Sequence, residues 1–250
     1  MDLLKSKTLI VTGASRGTGK ALALELARGN TNLVLNARNT LLLAEVQRQC
    51  NNSSARVTSV VGDISQPKTA RELVEKAVKL GNFYGFIHDA GLARPGPFIW
   101  ELPENHFQEV LGANLIGGYN LVRFSLPELL KTRAGLAVFF GSGAAELAVP
   151  GIAAYCIAKA AEEHMARQLA AEAPWLTTFA YRPGIVDTDM QREARKAQGG
   201  AAESLHREFR GYQERGELIS AEAAATALVN LIVQNHGRFR GKTINYEDVR

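Results

Sequence analysis

The chain has 250 residues, 46% hydrophobic and 22% charged, enough for one large α/β domain or two small ones. Its net charge of +4 comes from 29 basic residues scattered among 25 acidic ones with no Lys/Arg block, which argues against a nucleic-acid module and suits an anionic small-molecule cofactor. Two cysteines, Cys50 and Cys156, make neither a disulfide framework nor a metal site; no stretch reaches the roughly 18 apolar residues of a membrane helix; and Asp2 ahead of the first apolar run argues against a cleaved leader, so a soluble cytoplasmic protein is expected.

In chain order, residues 7–12 form a short apolar strand and Thr12 to Gly19 a glycine-rich turn. Residues 20–28 carry apolar side chains at helical spacing, ending at Gly29 as a C-terminal cap. The unit then repeats as strand 32–36, helix 41–50, strand 56–61, helix 67–80 and strand 83–88. A Gly/Pro loop over 91–97 leads into a helical stretch over 103–131, expected to kink or break near Leu126 because Pro127 cannot donate to the helix. Strand 135–141, a helix carrying Tyr155 as far as about 173, strand 177–181, helix 221–235 and strand 242–246 complete roughly seven strands. Strands alternating with helices predict one doubly wound parallel sheet, a single α/β domain of Rossmann fold over residues 1–250. The charged, glycine-containing stretch within 188–216 reads as a mobile substrate lid.

Two local patterns carry chemistry. Gly13, Gly17 and Gly19, with Ser15, Arg16 and Thr18 between them, join the first strand to the first helix, where backbone approaches a pyrophosphate and helix N–H groups point at it. At the end of the second strand an acid would bond the ribose of NAD, but the chain reads Asn36-Ala37-Arg38-Asn39. Arg38 can grip a 2′-phosphate bidentately and Arg16 can reach the same group from the turn, which favours NADP(H). Asp63 is placed to bond the adenine amino group. In the second pattern, Tyr155 and Lys159 stand four residues apart, hence on one helix face. A phenol of pKa about 10 becomes an effective acid-base group near neutrality only when a neighbouring cation stabilises its phenolate, which a lysine one turn away can do. Ser142 lies thirteen residues upstream of Tyr155. The histidines are dispersed, so no metal site is expected.

With the glycine turn, Asn114, Ser142, Tyr155 and Lys159 in this order, the chain resembles the short-chain dehydrogenase/reductase family over essentially its whole length. The resemblance implies that Tyr155 is the general acid or base, that Lys159 lowers its pKa and holds the nicotinamide ribose, that Ser142 bonds the substrate oxygen and that Asn114 completes a proton relay through water. It also implies that Ala90 and Gly91 meet the cofactor, and that Pro183, Gly184, Ile185 and Thr188 hold its carboxamide. One departure stands out: His88-Asp89-Ala90-Gly91 replaces the usual Asn-Asn-Ala-Gly. Asp89 can only accept where an amide also donates, so either the local bonds are rearranged or Asp89 is protonated.

The segments around Tyr155, Ala171 and Pro183 look most like the sepiapterin reductase and benzil reductase branch. An aspartate of sepiapterin reductases falls at Asn245, which cannot supply its charge, so a ketone or 1,2-diketone substrate is expected ahead of a pterin. Trp100, Leu147, Val149 and Met190 suggest an apolar substrate pocket, with Asn245 at its edge. Oxidation of an alcohol is the alternative direction, and an NADP-binding regulator without turnover the alternative class. The family resemblance further implies a homodimer or homotetramer, through the helices of Asn114 and Tyr155, with the C-terminal strand as a further candidate.

Overall fold

A computed structural model describes residues 3–51 and 53–249. Asp2, used in the leader argument, and the side chain of His236, counted among the dispersed histidines, lie outside what is described. Strands β1 (Thr8–Thr12), β2 (Asn32–Ala37), β3 (Val57–Val61), β4 (Phe83–His88), β5 (Leu136–Phe140), β6 (Thr177–Arg182) and β7 (Thr243–Asn245) form one sheet of order β3-β2-β1-β4-β5-β6-β7. Every neighbouring pair is parallel. All-parallel pairing requires cover on both faces, and the strands show it: every residue of β1, β2 and β5 is buried.

Helices α1 (Gly17–Arg28), α2 (Thr40–Cys50) and α9 (Ala221–Asn235) cover one face, with Leu22, Leu26, Leu43 and Leu228 packed on Leu9, Val11 and Leu35. Helices α3 (Pro67–Leu80), α5 (Gly117–Leu129) and α6 (Ala153–Glu172) cover the other, where Phe86 and Phe139 meet edge to face at 5.5 Å. A fully buried side chain of this size contributes about 1.5–3 kcal/mol. The chain order reverses between β1 and β4, and at such a switch point the carboxyl ends of the strands leave a crevice.

One expectation needs correction, and another segment gains definition. The 103–131 stretch is interrupted at Gly112–Ile116, a π-helical turn between α4 (Glu104–Leu111) and α5, whereas Pro127 lies inside α5 without breaking it. Pro127 and Arg123 are both exposed, so the carbonyl that loses its helical donor faces water. The 188–216 stretch contains two helices, α7 (Asp189–Ala194) and α8 (Ala202–Glu214). It is tied down through Ala201 N–H to Gly96 O (2.9 Å) and Gly200 N–H to Glu101 (2.9 Å).

Candidate active site

The carboxyl ends of the strands open into a cavity of about 1850 Å³. One wall is the glycine turn. Gly13 has φ +69°, and a Cβ there would stand 2.8 Å from the Ala90 backbone nitrogen, so only glycine lets the turn lie against the end of β4. Ser15, Arg16, Gly17 and Thr18 line the cavity, while Gly19 sits behind the turn, its Cα position facing Gly13 O and the Asp89 carboxylate. Arg38 and Asp63 line the neighbouring wall at the ends of β2 and β3. Asp63 Oδ1 accepts the Ser65 N–H (2.9 Å), fixing that turn and leaving its other oxygen uncommitted by this bond. Arg16 turns instead toward Asp189, at 3.1 Å across the mouth. Ala90, Gly91, Pro183, Gly184, Ile185 and Thr188 complete the same cavity.

At its inner end stand Asn114, Ser142, Tyr155 and Lys159, from three separate segments: the π-helical turn, the end of β5 and α6. Asn114 is fully buried in the π-helical turn, a distortion common at functional sites. Its amide donates to Leu92 O (2.9 Å) and Val110 O (2.8 Å), and its Oδ1 has no protein partner. Ser142 follows β5, and its N–H donates to Glu163 Oε1 at 3.2 Å. The ammonium of Lys159 donates to Phe140 O (2.6 Å) and Glu162 Oε2 (2.7 Å), and lies 5.7 Å from the Tyr155 ring centroid. Burial would lower the Lys159 pKa, but Glu162, Tyr155 and Asp89 outweigh it and raise it, so Lys159 is a cation. For Tyr155, burial raises the phenol pKa, opposed by Lys159 and by the Ser142 hydroxyl.

The departure at His88-Asp89 has a physical resolution. Ala90 N–H donates to Thr12 Oγ1 (3.2 Å), and Thr12 can then donate its proton to His88 Nδ1 (2.9 Å). The remaining proton sits on Nε2, 3.2 Å from Asn114 O. His88 therefore joins β1, β4 and the π-helical turn, and burial with the nearby Lys159 charge lowers its pKa to about 3, keeping it neutral. Asp89 faces the Gly19 backbone N–H, and burial raises its pKa to about 8, so the carboxyl is largely protonated at neutral pH.

Leu147, Val149, Met190 and Asn245 line the outer part of the cavity, together with Leu205, Phe209 and Tyr212 of α8, which the sequence reading did not single out. Trp100 does not line it. It is 77% exposed and stacks on Phe98 at 4.8 Å, because Glu101 turns back to bind the Phe98 and Gly200 N–H groups and leaves the ring outside. A second unanticipated group is Glu163, only 3% exposed, whose two carboxylate oxygens accept from Arg182 Nε and Nη2 (2.8 and 2.7 Å) while Oε1 also holds the Ser142 backbone N–H. Among the described residues no group of three or more His, Cys, Asp or Glu side chains could hold a metal ion, and no helix is long and apolar enough to cross a membrane.

Residues 7–199 match the family model for short chain dehydrogenases. An uncharacterized oxidoreductase of Saccharomyces cerevisiae is 32% identical over 97% of this chain and 96% of its own length. The crystal structure of a short-chain dehydrogenase/reductase from the same yeast superposes with a TM-score of 0.85 at 31% identity, covering 97% of this chain and 96% of that one. An NADPH-dependent pterin aldehyde reductase of Arabidopsis thaliana is 28% identical over 76% of this chain and 78% of its own. With this sheet order, this crevice and the Asn, Ser, Tyr and Lys at its inner end, the chain belongs to the short-chain dehydrogenase/reductase family of oxidoreductases.

Proposed function

We propose that the protein is an NADPH-dependent carbonyl reductase acting on a ketone or 1,2-diketone of the benzil type. The observation that carries this reading is the convergence of Tyr155, Ser142 and Lys159 at the inner end of a cavity whose outer part is lined by Leu147, Val149, Met190 and Phe209. A nicotinamide dinucleotide fits the residues present: the glycine turn forms a cradle that side chains would fill, and Arg38 offers a guanidinium where no acid would repel a 2′-phosphate. When bound, the cofactor supplies the hydride.

The chain's own residues do the rest. Ser142 orients the carbonyl oxygen by a hydrogen bond. The Tyr155 O–H bond breaks as its proton passes to that oxygen while negative charge develops there, and the phenolate left behind is stabilised by Lys159. Asn114 Oδ1, buried without a protein partner, is free to accept from a water that returns a proton from solvent to the phenolate. Residues 188–216 act as the lid, presenting Met190, Phe209 and Tyr212 to substrate. Ile116, Tyr119 and Ile157, exposed on the π-helical turn, α5 and α6, support self-association as a homodimer or homotetramer.

The Arabidopsis relative and Glu247, which lines the cavity beside Asn245, favour a pterin carbonyl as the second reading. A panel of benzil, isatin, aryl ketones and sepiapterin assayed with NADPH tests both. The diketones are expected to turn over fastest; sepiapterin leading would select the pterin reading, and no turnover of any carbonyl would favour a regulator. Arg38→Ala is expected to weaken NADPH binding about tenfold or more while leaving NADH almost unchanged, since only the 2′-phosphate contact is lost. Titration of cofactor fluorescence reads both dissociation constants, and wild-type preference for NADH would refute the assignment.

A further inference from the structure

Glu162 has no role in the reaction drawn above, yet it is fully buried one turn beyond Lys159, with Oε2 2.7 Å from the ammonium. Its Oε1 has no hydrogen-bond partner and lies 3.9 Å from His88 Nε2, whose proton points to Asn114 O. A carboxylate with one unpaired oxygen in such a place is costly unless a cation holds it. That cation is the one needed by the Tyr155 phenolate. Lys159 thus lies between two acidic groups of its own helix, with its lateral position fixed by the Phe140 carbonyl.

We propose that Glu162 is a positioning residue that locks Lys159 between its own carboxylate and Phe140 O and screens the ammonium charge from Tyr155, extending to higher pH the range in which Tyr155 remains a proton donor. This rests on the reading of Tyr155 as the proton donor in carbonyl reduction. An unscreened ammonium stabilises the phenolate and lowers the phenol pKa; a carboxylate bound to that ammonium offsets its field and raises the phenol pKa again. Burial raises the Glu162 pKa to about 7, against the pull of Lys159, so the screen strengthens as pH rises through neutrality.

The other groups around the carboxylate leave this assignment intact. From β4 comes His88, neutral with its pKa near 3, and from the segment just after it Asp89, which ionises at about 8 and adds to the same effect on Tyr155. From α6, Glu163 adds a like charge, but Arg182 of β6 neutralises it. The π-helical turn contributes the neutral Asn114, β1 the Thr12 hydroxyl and β5 the Phe140 carbonyl.

The test is an ultraviolet difference titration of phenolate in the cofactor-free protein, with the Tyr155 band identified by subtracting Tyr155→Phe. Glu162→Gln removes the charge at constant shape and is expected to move the Tyr155 midpoint down by about one pH unit or more. Glu162→Asp, which keeps the charge, should stay closer to wild type than to the Gln variant. The alkaline limb of kcat/KM for carbonyl reduction should move with the midpoint. Should the Gln variant fail to fold, Glu162→Met, uncharged and of similar volume, replaces it. A folded neutral variant whose Tyr155 midpoint is unmoved, raised or still out of range overturns the proposal. The titration uses no substrate, so its failure would leave carbonyl reduction standing; absent turnover across the carbonyl panel would sink the reaction whether or not the band moves.

Discussion

Tyr155→Phe is expected to lower kcat for carbonyl reduction by about 100- to 10,000-fold, the range for removing a general acid, while leaving the dissociation constant for NADPH within about threefold of wild type. The substitution deletes one oxygen from a ring packed against the cluster of Val110, Ala154 and Ala158, so the shape of the inner end persists and only the proton is lost. Steady-state NADPH oxidation and cofactor fluorescence report the two quantities separately. A Phe variant with more than about a tenth of wild-type kcat would mean that another group delivers the proton. His88 is a poor substitute: it is fully buried, neutral, and both ring nitrogens are committed to Thr12 and Asn114.

Lys159→Met should have a double effect, on turnover and on stability. Removing the ammonium strips Tyr155 of the charge that stabilises its phenolate, so kcat should fall by about 100-fold or more. It also abandons Glu162 in a site with no exposure. Breaking a buried pair costs about 3–5 kcal/mol, and the lower end is expected because Glu162 can take up a proton instead. The pH dependence follows in sign. A carboxyl whose folded pKa is raised above its unfolded value contributes stability below the unfolded pKa and loses it as pH rises toward the folded one. Glu162 already stands near 7 with Lys159 present, and losing the ammonium pushes it higher. The Met variant should therefore go on losing Tm above about pH 7, where the wild-type Glu162 is already ionising and its curve levels off, with recovery toward wild type in the Lys159→Met/Glu162→Leu double variant. Equal slopes would show that Glu162 is not held by Lys159.

Much of this architecture was legible because it is written in short-range spacing. The predicted bounds 67–80, 83–88 and 221–235 coincide with α3, β4 and α9, where amphipathic or continuous apolar patterns meet clear breakers such as Pro67 and Gly81. Tyr155 and Lys159 read as one helix face because α6 is regular there. Within 188–216, abundant charge and glycine concealed α8, although Leu205, Phe209 and Tyr212 recur at helical spacing and all face the cavity. Pro127 is accommodated inside α5 because it and Arg123 lie on the exposed face, a placement that the order of residues alone does not reveal.

What the sequence concealed is pairing across the fold. The glycine turn suggests a phosphate for Arg16, whereas its contact with Asp189 spans 173 positions. Glu162 and Glu163 are adjacent acids on an alanine-rich helix, a pattern that ordinarily faces water; only the arrival of β4, β5 and β6 turns one toward Lys159 and the other toward Arg182. The replacement of two asparagines by His88 and Asp89 was visible, but its solution required the Thr12 hydroxyl and the π-helical turn in three dimensions.

The central claim, that this cavity reduces a carbonyl with NADPH by a proton from Tyr155, is tested most directly by following NADPH oxidation with benzil for wild type and Tyr155→Phe side by side, with NADH in parallel. The account predicts turnover by wild type with NADPH, much weaker turnover with NADH, and loss of nearly all of it in the Phe variant with NADPH still bound. Benzil reduction that survives the loss of the Tyr155 hydroxyl, or that runs better on NADH, would contradict it.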